Sequence, residues 1–255
     1  ICTKKRLIDL AVKQTVTHAK KAEDDYDYPE DLPQVLLNRP KAAAAQSRTD
    51  PETRLSMSLF GQLFDELHFM EPALLRMGYT HPMDDGQERT FKVKFEGEGV
   101  DDYGGPYREI FSQLATELQS CHVSAQLGQP TQLQKVAGCM LPLLCPSPNM
   151  RSDDAAGSDV LLVQPQLTRH LYLEMYNFLG QVLGMAMRSK VAIKVNVSSV
   201  FWKALVGQPV EEADLIAFDE ATASMIKHLR HLLVNGSAEE IESSLTSVTW
   251  TTQLS

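Results

Sequence analysis

Apolar and polar positions alternate most cleanly where Phe91, Val93 and Phe95 interleave with Lys92, Lys94 and Glu96. A period of two predicts a strand with one face buried and one in water. Gly97 and Gly99 end the alternation, since glycine reaches positive φ without strain. The period then changes to that of a helix. Ile110, Phe111, Leu114 and Leu118 share one face, and Arg108, Glu109, Gln113 and Glu117 lie toward the other. Pro106 falls where a first helical turn tolerates a missing N–H. Asp101 and Asp102 precede it, at the end of the helix dipole that favours carboxylates.

Elsewhere the pattern sets the organisation. Lys4 to Lys21 reads as a basic helical segment with a partial apolar face, followed by an acidic run over residues 22–31. Pro29, Pro33, Pro40 and the alanine run up to Pro51 read as a mobile linker. The compact domain is expected to begin near Pro51. Met175, Phe178, Leu179, Val182, Leu183 and Met187 read as the core side of a long helix, and Gly180 with Gly184 reads as a site of close backbone packing. Residues 236–255 alternate Ser and Thr with Leu245, Val248 and Trp250, which predicts a strand.

Composition narrows the function. With 43% hydrophobic residues, a chain of 255 has ample material for a buried core in one or two domains. Its formal charge of −9 argues against nucleic acid or an anionic membrane as partner and suits a basic protein. Cys2, Cys121, Cys139 and Cys145 form no disulfide framework, which fits a reducing compartment, and no apolar run is long enough to span a membrane. A strand, glycine turn and helix also build phosphate sites. Here the third glycine position of a dinucleotide fingerprint starting at Gly97 holds Asp102, and no Gly-x-x-x-x-Gly-Lys-Ser/Thr occurs. Cys145 has apolar flanks that raise a thiol pKa, and Cys121-His122 with Cys139 lacks a zinc-type pair. His228 and His231, beside Lys227 and Arg230, read as a solvated basic face.

The stretch from Phe91 to Phe111 resembles the opening of the HECT domain, the catalytic module of a class of ubiquitin ligases. There a strand and Gly-Glu turn lead through Asp-Tyr-Gly-Gly to a helix bearing Arg-Glu, matched here by Gly97-Glu98, Asp102-Tyr103-Gly104-Gly105 and Arg108-Glu109. The likeness is collinear. Arg54 to Leu67 resembles the family's first helix, His81-Pro82 precedes the strand, and Leu141 to Asn149 is similar to a strand and Pro-Asn turn. Phe178 to Arg188 resembles the long central helix, with Phe201 to Leu205 and Asp214 to Asp219 following in order. The wording around Val93 to Asp102 is most like the large HERC-type ligases.

The resemblance implies an α+β fold: the helix-rich large subdomain of a HECT N-terminal lobe, with short β-strands and incomplete. Residues 1–50 would be a helical extension and acidic, proline- and alanine-rich linker. Residues 51–255 would be a partial HECT domain whose C-terminal lobe is absent. The implied reaction passes ubiquitin from a conjugating enzyme to a ligase cysteine as a thioester, then to substrate lysines, with no metal or organic cofactor and in the cytoplasm. The implied partners are ubiquitin, a ubiquitin-conjugating enzyme and protein substrates. The thioester cysteine would lie beyond residue 255, so no catalytic residue is expected here and this piece alone would be inactive. A noncatalytic ubiquitin-binding or adaptor product is the alternative. Tyr103 matches a tyrosine that in parts of the family belongs to a noncovalent ubiquitin-binding surface; in the bland alternative its ring simply covers the glycine turn.

Overall fold

The computed structural model describes residues 32–76, 78–80, 87–99, 102, 104–120, 139–151 and 159–245. In chain order the elements are β1 (Gln34–Leu37), α1 (Arg39–Ala45), α2 (Pro51–Met57), α3 (Leu59–Leu67), a 3-10 turn (Leu74–Arg76), β2 (Tyr79–Thr80), β3 (Glu88–Arg89), β4 (Lys92–Phe95) and α4 (Gly105–Gln119). They continue as β5 (Leu144–Pro146), α5 (Pro148–Arg151), β6 (Leu161–Val163), α6 (His170–Arg188), α7 (Ser199–Leu205), α8 (Glu212–Phe218), α9 (Glu220–Asn235) and α10 (Ala238–Leu245). Long helices with short strands make this an α+β fold, as the resemblance implies. The chain divides into two compact units, one of residues 1–145 with 167–195 and one of 146–166 with 196–255.

The first unit is built on a parallel pair, β1 against β4, in the register Val35↔Val93 and Leu37↔Phe95. All four side chains are at most 3% exposed. Parallel partners need a crossover rather than a hairpin, and α1, α2 and α3 lie in that crossover. The linker expected across Pro33 to Pro51 is therefore replaced by ordered elements over residues 34–45. Leu32-Pro33 precedes a run whose Val35 and Leu37 reach the core, and Asn38 caps α1 by accepting from the Lys41 backbone N–H. In a helix the alanine run is a strong former rather than a flexible spacer.

Helices α3, α4 and α6 supply most of the remaining core. Phe178 on α6 stands edge-on to Phe60 and Phe64 of α3, with centroids 5.7 and 5.5 Å apart. On α4, Ile110, Phe111, Leu114 and Leu118 are fully buried, the face predicted by their spacing. Tyr107 is also buried, and its hydroxyl lies 2.9 Å from Ser189 Oγ. Burial pushes the Tyr107 hydroxyl above the ordinary tyrosine pKa. Gly180 and Gly184 do not pack closely, since a Cβ at either would meet nothing within 4 Å.

The elbow between α2 and α3 is held at Ser58, whose hydroxyl donates to Leu55 O at 2.6 Å and accepts from Gly61 N at 2.9 Å. A Cβ on Gly61 would lie 1.9 Å from Leu55 O, so only glycine fits. The first two N–H groups of α3, from Leu59 and Phe60, donate to the Glu117 carboxylate of α4 at 2.9 and 3.0 Å. Glu117 thus departs from the solvated face expected for it, because the free amides of a helix start need acceptors. Burial raises its carboxyl to about 7 against the two N–H bonds that lower it.

The second unit has little apolar core. Leu161 and Ala223 are its buried hydrophobic residues among those described. Polar ties do more of the work. The Asn149 amide donates to Ile216 O at 2.8 Å and accepts from Glu220 N at 2.8 Å, joining α5 to the α8–α9 corner. Asp214 accepts from Lys203 Nζ and Ser199 Oγ at 2.6 Å and from Glu211 N at 2.8 Å. Those bonds and Lys203 hold its carboxyl below the usual range although burial opposes them. The strand expected over residues 236–255 is corrected to helix over Ala238–Leu245, where Ser237 Oγ accepts from Glu240 N and the Glu240 carboxylate accepts from Ser237 N. Residues 246–255 and the basic segment Lys4 to Lys21 lie outside the described residues.

Two outcomes test this packing. Gly61→Ala should destabilise the chain by more than about 2 kcal/mol in urea unfolding, because Leu55 O must move. Glu117 holds its proton to higher pH folded than unfolded, so its contribution is fully present below about pH 4.5 and is lost as pH rises through about 7. Glu117→Gln should therefore flatten stability over that window, by on the order of 2 kcal/mol across it relative to the parent. Parallel pH profiles for the two proteins would contradict the assignment.

Candidate functional site

The turn joining β4 to α4 carries the motif singled out above. Gly97 adopts φ +79° and Gly104 φ +95°, so the chain reverses through left-handed backbone on both sides of the motif. Tyr103, with Val100 and Asp101, lies outside the described residues. Its neighbours Asp102 and Gly104 are placed.

Asp102 is the anchor. One carboxylate oxygen accepts from Val93 N at 2.8 Å, and the other accepts from Gly104 N at 2.8 Å and from Tyr107 N at 3.4 Å. Arg89 approaches from β3, with Nη1 3.3 Å from the carboxylate and donating to the Asp102 carbonyl at 2.6 Å. The side chains of this pair are 1% and 2% exposed. Further hydrogen bonds offset the cost of desolvating an ion pair, and here strand, turn and helix start all converge on one carboxylate. Asp102 is therefore more than a surface charge near a helix dipole.

Arg39 of α1 makes a second clamp. Its guanidinium pairs with Glu98 of the turn at 3.2 Å and Glu109 of α4 at 2.7 Å, and stacks over the Phe95 ring at 3.5 Å. Glu109 thus ties α4 to the start of α1. Arg108 instead turns back to its own helix start, donating from Nε to Gly104 O at 3.1 Å. Gln87 braces the turn from below: its amide donates to Ser189 O at 2.8 Å, and its Cγ would lie 3.4 Å from a Cβ on Gly104.

The arrangement fixes the backbone on either side of Tyr103. The acceptor capacity of Asp102 is taken up by N–H groups and Arg89, so this carboxylate is committed to structure. Cys139 and Cys145 are each 5% exposed, among leucines. Among the described residues no group of three His, Cys, Asp or Glu side chains is placed to hold a metal, and no helix is long and apolar enough to cross a membrane. Cys2, Cys121 and His122 lie outside the described residues, while His228 and His231 are exposed on α9. Sequence reasoning missed Arg89 and Arg39. Beside Glu88, Arg89 looks like half of a solvated pair, whereas in the fold it is buried against the carboxylate and carbonyl of Asp102.

Comparison with known proteins fits this geometry. Residues 139–252 match the family model described as HECT-domain (ubiquitin-transferase). The E3 ubiquitin-protein ligases HERC2 of mouse and human are each 29% identical over 201 residues, 78% of this chain and 4% of theirs. The probable E3 ubiquitin-protein ligase HECTD4 of human is 30% identical over 138 residues, 54% of this chain and 3% of its own. The chain thus spans a few per cent of the length of these relatives. A match covering 78% of 255 residues must include residues 91–111, so the HERC2 likeness takes in the platform upstream of the family-model match. The chain is thus similar over most of its length to HECT-type ubiquitin-protein ligases, the large HERC2 among them, and carries a HECT-domain match over residues 139–252.

Proposed function

We propose that this chain is the scaffold part of a HECT N-terminal lobe, in a ligase that carries ubiquitin as a cysteine thioester from a conjugating enzyme to substrate lysines. In the first step a ligase thiolate attacks the thioester carbonyl and the conjugating enzyme's thiolate leaves. In the second a lysine amine attacks, the ligase thiolate leaves, and an isopeptide bond remains. The reacting cysteine is supplied by residues other than those of this chain. The burial of Cys139 and Cys145 supports that assignment, since a nucleophile needs an accessible thiolate.

The β4–α4 turn serves as a noncovalent ubiquitin-binding surface through Tyr103. The observation that carries this reading is the Arg89–Asp102 anchor, which fixes the residues flanking Tyr103. A preorganised turn binds without spending free energy on ordering itself, and a tyrosine offers a large apolar contact with a polar tip.

Two results are expected. Titration of labelled ubiquitin should show Tyr103→Ala weakening the interaction about tenfold with the thermal transition unchanged, within the range of a central contact residue. Equal affinities would remove Tyr103 from the surface. Incubated with ubiquitin-charged conjugating enzyme, the chain alone should form no adduct that reductant reverses. Such an adduct, lost in Cys145→Ser, would place the nucleophile here instead.

A further inference from the structure

The second unit holds a cavity that neither ubiquitin chemistry nor the β4–α4 turn explains. It is a trough of about 350 Å³ among α7, α8 and α9, open on one side. Val200, Val210, Leu215, Phe218 and Ile226 form its walls and Ala223, 4% exposed, its floor. Val210 is 56% exposed at its mouth, and Ile216 on the adjoining turn of α8 is 45% exposed. An apolar trough left open to water, in a unit with little other core, is a candidate contact site.

The rim states what the occupant carries. Glu211 and Glu212 lie along it, with side chains 69% and 51% exposed. Arg230 pairs with Glu212 at 3.1 Å. The cation nearest Glu211 is Lys203 at 3.6 Å, and Lys203 is committed to Asp214 at 2.6 Å. One cation thus serves two carboxylates, and the Lys203–Asp214–Glu211 group keeps a net negative charge with Glu211 on its solvent side. Asp219 and Glu220 add to it at the α8–α9 corner, and acids outnumber bases among the described residues of this unit.

We propose that this trough is a docking site for a basic amphipathic peptide segment of a partner protein, which inserts an aliphatic or aromatic side chain between Val200 and Phe218 and sets a lysine or arginine against Glu211. Charge complementarity at the rim orients the segment and the apolar wall supplies affinity.

Selection of a random-peptide phage library on the full chain tests it. The expected winners carry an apolar anchor flanked by Lys or Arg, and bind less tightly as salt is raised. Measured with a synthetic copy of the best winner, Val210→Gln should lower affinity about tenfold and Glu211→Gln about threefold. Both variants should keep the parent's circular dichroism; glutamine at 211 retains an acceptor for the cap of α8. The proposal is overturned if no peptide is selected, if the winners lack basic residues, or if both folded variants bind the winner as the parent does. Concentration-dependent dimerisation that Val210→Gln abolishes would also overturn it, assigning the trough to a second copy of the chain.

Discussion

A single buried ion pair governs the candidate site. Arg89 and Asp102 are desolvated together, a state that costs several kcal/mol per ion unless each remaining polar atom finds a partner. Asp102 meets that demand by gathering the N–H groups of Val93, Gly104 and Tyr107. The strand, the glycine turn and the start of α4 are therefore fixed by the same carboxylate, and the turn's direction follows from its geometry. Outside this pair the restraints are more ordinary. Arg39 bridges Glu98 and Glu109 in partly exposed surroundings, where an ion pair contributes less.

The two units are stabilised in different ways. The first buries aromatic and aliphatic side chains from α3, α4 and α6 against one face of a parallel pair, so the hydrophobic term dominates. The second relies on caps and corner hydrogen bonds through Asn149, Asp214 and Asp219, and leaves Leu205, Val210, Leu233 and Val234 exposed. A unit of this kind gains more from a partner than a saturated core would.

Much of this was legible in the residues. Period-two alternation at Phe91, Val93 and Phe95 places β4, and the spacing of Ile110, Phe111, Leu114 and Leu118 places the buried face of α4. Both patterns are local. The errors arose where long-range partners decide. Residues 34–37 look like proline-flanked linker until β4 supplies a parallel neighbour, and Glu117 looks solvated until the α3 amides need an acceptor. Arg89 gives no sign of burial in its own neighbourhood, because the acceptors that hold it arrive through a turn thirteen residues on. Family resemblance pointed to HECT-type ligases, which composition could not do.

A double-mutant cycle on Arg89 and Asp102, read as unfolding free energy, tests the account at its base. Arg89→Met and Asp102→Leu each remove one partner of the pair, and the double variant leaves neither charge buried. The account predicts that either single change is severely destabilising and that the double variant recovers at least about 2 kcal/mol relative to their sum. Additive single effects would mean that the two charges do not depend on each other, and would contradict the anchor on which the turn's geometry rests.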